Sequence, residues 1–306
     1  MDQKMIAAAF YMGPDEPDNS FQQALHEAAR RTATRLDITY EGYFAAGHAG
    51  NQVGQLLNAI RRPEGERPHV VLLMPVNDEA LKRALRDAMK RGITCILLHR
   101  TTEAFADLRA EGHPGALVGF CPDQAAIGPL QAEQCRRLFP RGGGIVIVRG
   151  PRHVWSAQMR GERLKEALGP DFTILDEFHA DWARSLAAAE FGKLVARWRD
   201  IPAHVVACAN DEMAAGIADT RAGLAQRVDR PDLALLSVVG CDGLPTVGRR
   251  LVDEGRLRAT IVQPLATIPA LEAAVRLLRH QEPLPADTAL PVESYPTLGE
   301  LSPVKI

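Results

Sequence analysis

The side chains best suited to gripping a polar ligand fall in short segments that each follow an apolar run. These segments are 14–22, 75–77, 99–100, 152–160, 181–182, 210–211, 241–242 and residue 263. They are rich in Asn, Asp, Arg, Gln and aromatic residues. Amide, carboxylate and guanidinium groups match pairs of hydroxyls, and an aromatic face matches the apolar side of a pyranose. Catalytic patterns are missing. There is no GxSxG elbow, no HExxH pair and no GxxxxGK[ST] loop. Gly142, Gly143 and Gly144 come before an apolar run, whereas a dinucleotide loop follows its strand. Asp15 and Asp18 lie in a proline-containing stretch and read as solvated. The expectation is therefore binding without catalysis, with no cofactor and no metal.

The elements that must position these segments repeat one rhythm. Apolar runs are expected as strands at 5–12, 38–45, 70–74, 94–98, 116–120, 145–149, 173–178, 205–209, 234–240 and 259–262. Most lack alternation, as strands buried on both faces of a parallel sheet do. Between them lie amphipathic stretches. Phe21, Leu25, Ala28, Ala29 and Leu36 share one helical face, and Leu186, Ala189, Leu194 and Trp198 another. Asn77-Asp78 and Asn210-Asp211 read as helix starts, and Gly92, Gly169 and Gly223 as helix ends. Strands alternating with helices predict an α/β fold with parallel sheets. At roughly 150 residues per domain, 306 residues suggest two domains, each with a sheet of about five or six strands.

Composition narrows the function. Hydrophobic residues make up 46% and charged residues 24%, the values of an ordinary globular chain. A net charge of −2 and 5% aromatics argue against nucleic-acid binding through bulk charge. The run 5–12 falls far short of the roughly 20 residues of a membrane span. It also lacks the cleavage site of a signal peptide and reads as the first buried strand. As written, the chain is expected in the cytoplasm, or in the periplasm if a signal was removed before Met1. Cys95, Cys121, Cys135, Cys208 and Cys241 form no CxxC pair and read mainly as small buried hydrophobes.

Taken in order, several segments resemble the type I periplasmic-binding-protein superfamily. The nearest likeness is to ribose/galactose-type sugar-binding proteins and the effector-binding cores of lactose-repressor-like regulators. The carriers are DNSFQQALHEAA (18–29), ITCILLHR (93–100), GFCPDQAAIG (119–128), RGPRHVWSAQMRGERLKEAL (149–168), ADWARSLAAAE (180–190), ACANDEMAAGIAD (207–219), SVVGCDG (237–243) and ATIVQP (259–264). The resemblance implies that Asn19 and Phe21 belong to a ligand shell, with Gln22 a further contact. Asn19 reads equally as a helix cap, and Phe21 also suits a buried helix face. Arg100 matches an arginine that forks onto sugar oxygens, with a surface ion pair as its other reading. His99 and Gln158 depart from the pattern, which more often has Asp and Arg at those positions. Arg160 matches the pattern's other arginine, structural or ligand-facing. Trp182 resembles a stacking aromatic, with a core tryptophan as the rival. Asn210 matches a ligand asparagine, while Asp211 reads as the helix cap. Asp242 matches a hydroxyl-binding aspartate, and Gln263 a glutamine that reaches the ligand.

The same resemblance implies two doubly wound Rossmann-like lobes joined by a three-crossover hinge near 119–123, 262–265 and 287–290. One lobe would hold 1–119 plus 265–287, the other 120–264 plus 288–306. A sugar-like small molecule would be enclosed by hinge closure. An acidic or phosphorylated sugar is an option, because Arg152-His153 and His99-Arg100 stand beside helix starts or strand ends. The implied partner is a membrane permease of an ABC-type transporter. The alternative is a cytoplasmic effector-binding sensor acting through a signalling partner, without its own DNA-binding domain. No direct nucleic-acid contact is expected, and the oligomeric state is a monomer or homodimer.

Overall fold

The computed structural model describes residues 4–16, 19–198, 203–227 and 231–304. The chain divides into two compact units, Met1–Pro122 with Pro264–Leu290 and Asp123–Gln263 with Pro291–Ile306, so it passes between them three times. The first unit begins with β1 (Ile6–Tyr11), α1 (Ser20–Arg35), β2 (Thr39–Phe44), α2 (Ala49–Ile60), β3 (Val70–Leu73), α3 (Asp78–Lys90), β4 (Thr94–Leu98), α4 (Ala106–Ala110) and β5 (Leu117–Pro122). The second unit holds α5 (Gln124–Leu138), β6 (Gly143–Arg149), α6 (Trp155–Leu168), β7 (Phe172–His179), α7 (Arg184–Arg197), β8 (Ala203–Cys208), α8 (Asp211–Arg227), β9 (Ser237–Val239), α9 (Arg250–Asp253) and β10 (Thr260–Val262). The chain returns to the first unit for α10 (Thr267–His280) and β11 (Asp287–Leu290), and closes in the second with β12 (Glu293–Tyr295).

The first unit is a six-stranded sheet in the order β11-β5-β4-β3-β1-β2. All its pairings are parallel. The strands read as unbroken apolar runs because both faces are covered. On β1, Ala7, Ala9 and Tyr11 join one core cluster while Ala8 and Phe10 join the other. Helices supply the covering layers. On α3, Leu81, Ala84, Leu85, Ala88 and Met89 are buried at spacings of three and four. Each fully buried leucine of this kind contributes about 1.5–3 kcal/mol. The helix starts where Asn77 Oδ1 accepts from the Ala80 N–H, at 2.9 Å.

The second unit has a parallel four-stranded sheet, β7-β6-β8-β9. Single parallel bridges, Val239 to Ala259 and Asp242 to Val262, lead from β9 towards β10. On β6, Val146 and Val148 face one cluster and Ile145 and Ile147 the other.

The α/β architecture agrees with the pattern of the sequence, with local differences. Twelve strands form among the described residues, not ten. β11 and β12 escape a search for apolar runs because they are short and half exposed. β12 pairs antiparallel with β10. Of residues 234–240 only Ser237–Val239 is a strand, since Pro231–Leu235 winds into a 3-10 turn. Gly223 lies inside α8 and ends nothing. The buried face of α7 is Ala187, Phe191, Leu194 and Val195, with Ala189 exposed. Among the described residues no helix is long and apolar enough to cross a membrane. All five cysteines are buried thiols outside any disulfide, and burial pushes the Cys135 thiol up to about 12.

Candidate functional site

In the second unit, residues from five places converge behind the carboxyl ends of the strands. Arg160, on α6, is the hub. Its Nε donates to Gln124 Oε1 at 2.7 Å, its Nη1 to the Ala209 carbonyl at 2.6 Å, and its Nη2 to Gln263 Oε1 at 3.0 Å. Its Nη1 also lies 3.7 Å from Asp242 Oδ1. Gln263 Nε2 donates to that same Asp242 oxygen at 2.7 Å, and Gln124 Nε2 donates to Gln263 Oε1 at 3.0 Å. All four side chains are buried. The set is a closed ring of donors and acceptors around one cation and one carboxylate. Such a ring is favourable only when its members are satisfied. Burial raises the Asp242 carboxyl well above the usual range, and the Arg160 charge works against that shift.

Trp182 and Asn210 stand beside the ring. The Arg160 guanidinium lies 5.4 Å from the centre of the Trp182 ring, within cation–π range. The ring also packs over Gly150, where an added Cβ would collide with it. Trp182 is half-buried and belongs to the edge of a core cluster as well. Asn210, and not Asp211 as expected, caps the helix. Asn210 Oδ1 accepts from the Met213 N–H at 2.9 Å, which makes it the helix cap, and its Nδ2 donates to the Trp182 carbonyl at 3.2 Å. Asp211 turns inward to the Gly243 N–H and the Thr260 hydroxyl, both at 2.7 Å. Burial raises Asp211 to about 6 against the pull of those two bonds.

The first unit gathers a looser set. The loop after β1 is held by its own amides. Gln22 Oε1 accepts from the Gly13 N–H at 2.9 Å, and Asn19 Nδ2 donates to the Pro14 carbonyl at 2.8 Å. A Cβ at Gly13 would press on both amides, which is why glycine fits there. Asn19 occupies the cap position of α1, but its side chain makes no cap bond. Phe21 meets His99 edge to face at 5.1 Å, and it packs against the core while only half-buried. Arg100 pairs with Asp78, the first residue of α3, with 14% and 28% of the two side chains exposed.

Four of the seven described non-glycine residues with positive φ fall at these places, and Asp37, Ala46 and Gln281 lie elsewhere. His99, Asp181, Trp182 and Asp242 have φ values of 58°, 47°, 65° and 126°. Each is a non-glycine residue in left-handed space, a conformation that costs about 1–3 kcal/mol and clusters at functional sites. Gln158 stands apart. It is exposed, its amide donates to the Arg152 carbonyl at 2.8 Å, and it takes no part in the ring. Arg152 and His153 are exposed too.

Gln124, Asp78 and Asp211 escape sequence reasoning as site residues, as do two buried glutamines. Gln131 Nε2 donates to the Cys208 and Gly240 carbonyls at 3.0 and 3.3 Å. Gln52 Nε2 donates to the Met74 carbonyl at 2.7 Å, and its Oε1 accepts from the Val76 N–H at 2.8 Å. Each ties off backbone groups where strands end. The available signal is a glutamine set among the apolar residues of a helix, because such a side chain must find partners indoors. Among the described residues no group of acidic, His and Cys side chains is placed to hold a metal ion.

Comparison with known proteins adds to this geometry. No curated protein matches the chain. Solved structures do. A periplasmic solute-binding protein of an ABC transporter from Actinobacillus succinogenes, with bound D-allose, matches with a TM-score of 0.81 at 23% identity, over 95% of this chain and 97% of that one. The Caulobacter myo-inositol binding protein, bound to myo-inositol, gives 0.78 at 22% identity, over 96% and 93%. A fructose-binding periplasmic domain of a hybrid two-component system gives 0.76 at 20%, over 95% and 90%. At these identities the likeness is one of fold. The family model described as a periplasmic binding protein domain matches residues 10–282, and with that span of the sequence matched, the chain belongs to the periplasmic binding protein domain family.

Proposed function

We propose that the chain binds a neutral sugar or a related polyol, without covalent chemistry, as the solute-binding component of an ABC-type transporter. The observation that carries the choice of a neutral ligand is charge matching within each unit. Arg160 already faces Asp242 and three uncharged acceptors, and Arg100 already faces Asp78. A phosphate or carboxylate on the ligand would have to displace a carboxylate from its cation. It would also meet the combined negative field of Asp242, Asp211 and Glu212, three buried acids that act on one another electrostatically. A hydroxyl needs no such exchange, and it can donate to Asp242 while accepting from a neighbouring amide. In this reading Asp242, Gln263, Asn210 and Trp182 are the candidate contacts of the second unit, Asn19, Gln22, Phe21, His99 and Arg100 are those of the first, and Gln158 lies outside the contact set.

The transporter role is supported by family membership and by the ABC-transporter protein from Actinobacillus succinogenes. A sensing role is the second reading. It is favoured by the two-component fructose-binding domain among the structural relatives. Both readings share a neutral ligand and differ in the partner. A thermal-shift panel tests the ligand class, with D-allose, myo-inositol and D-fructose set against D-glucuronate and D-glucose 6-phosphate. Stabilisation by at least one neutral member and by neither anion is expected. Stabilisation by the anions alone would reject the charge-matching argument.

A further inference from the structure

Asp211 does not cap its helix, because Asn210 does. It is a buried carboxylate that points away from the helix start and across to the turn after β9. Its Oδ2 accepts from the Gly243 N–H and its Oδ1 from the Thr260 hydroxyl on β10, both at 2.7 Å. The surrounding chain is shaped around it. A Cβ on Gly240 or on Gly248 would collide with the Asp211 carboxyl oxygens, so two glycines leave the space that it fills. The turn that it reaches is strained at Asp242, with φ of 126°, and continues through Gly243 at 64°, which glycine adopts freely. From the other side Arg249 Nε donates to the Gly243 carbonyl at 3.0 Å.

We propose that Asp211 is a positioning residue for Asp242, bracing the Asp242-Gly243 turn so that the Asp242 carboxylate stays aligned with Gln263 and Arg160. The brace acts through the backbone. Fixing the Gly243 N–H removes the turn's freedom to relax towards ordinary φ values, which would swing the neighbouring carboxylate off its partners. Such a buried acid is tolerated because both of its oxygens are bonded. The charged and titratable groups around it are Asp242, Arg160, Glu212, Cys208 and Cys241. This proposal rests on the reading of Asp242 as a hydroxyl acceptor for the ligand.

The test uses Asp211→Asn, Asp211→Ala and Gly248→Ala in the full chain, with two readouts. The first is the Gly243 amide, by its NMR shift and hydrogen-exchange protection. The second is affinity for D-allose and myo-inositol by calorimetry. Asparagine can still accept from Gly243 and can donate to the Thr260 oxygen, so Asp211→Asn should keep the amide protected and the affinity within about threefold. Asp211→Ala should lose the protection and bind about tenfold or more weakly. Gly248→Ala should behave like Asp211→Ala, because its methyl evicts the carboxyl. Adding it to Asp211→Ala should change little further. An unchanged Gly243 amide in Asp211→Ala, or a loss in Asp211→Asn as large as in Asp211→Ala, would overturn the brace. If Asp211→Ala does not fold, Gly248→Ala decides by the same readouts. If neither sugar binds the wild-type protein, the sugar reading of Asp242 fails, and the amide still decides the brace.

Discussion

The two units place candidate residues at the same kind of location, the carboxyl ends of parallel strands, and hold them in different ways. In the second unit Arg160, Asp242, Gln263 and Gln124 are buried and bonded to one another in a closed ring. In the first unit Arg100 and Asp78 form a single pair with 14% and 28% of the side chains exposed, and Asn19 and Gln22 bond mainly to their own loop. The difference teaches where rigidity resides. A buried ring loses little further freedom when a ligand arrives, so its contacts are set in advance. A single, partly exposed pair with a long arginine side chain can rearrange at smaller cost than a buried ring. The polar groups of the second unit are thus set in place, and those of the first are freer to move.

Breaking the ring should have the largest effect. Arg160→Leu leaves the Asp242 carboxyl buried without its cation, and it should destabilise the protein by about 3–5 kcal/mol. Arg100→Leu in the first unit should cost roughly 1 kcal/mol or less. Urea unfolding of both variants measures the contrast, and equal losses would erase the distinction between the units. Adding Asp242→Leu to Arg160→Leu should recover part of the loss, because no unpaired acid remains.

A smaller effect separates the units by pH. Asp211 titrates at about 6 when folded and at about 3.9 when unfolded. Between those values the folded state holds more protons, so the contribution of Asp211 to stability falls as pH rises from about 4 to about 6. The span is on the order of 3 kcal/mol. In Asp211→Asn that part of the slope should vanish. Stability measured from pH 4 to 7 in both proteins checks this, and parallel curves would contradict it.

Much of the architecture was legible in the sequence because parallel strands covered on both faces need long apolar runs. Val70–Leu73 and Thr94–Leu98 show this plainly, and both are fully buried. β11 and β12 were hidden because Asp287, Thr288, Glu293 and Ser294 carry no such run. For the site, position after a strand marked residues 152–160, 241–242 and 263, and the family resemblance singled out Arg160, Asp242 and Gln263 among them. The bonds that join them were not readable, since Arg160 and Gln263 lie 103 residues apart and Gln124 and Gln263 lie 139 apart. That Asn210 and not Asp211 would cap α8 was also out of reach. Either side chain can cap a helix, and the choice depends on the Gly240 and Gly248 space that only the folded chain creates.

The most direct measurement is calorimetric titration of the wild type, Asp242→Ala and Arg100→Ala with whichever of D-allose, myo-inositol or D-fructose stabilises the protein most. The loss at Asp242 should be about 1.5–3 kcal/mol, roughly a tenfold to 150-fold weakening. The loss at Arg100 should be smaller. Unchanged affinity in Asp242→Ala, or a greater loss in Arg100→Ala, would contradict the assignment of the defining contacts to the second unit.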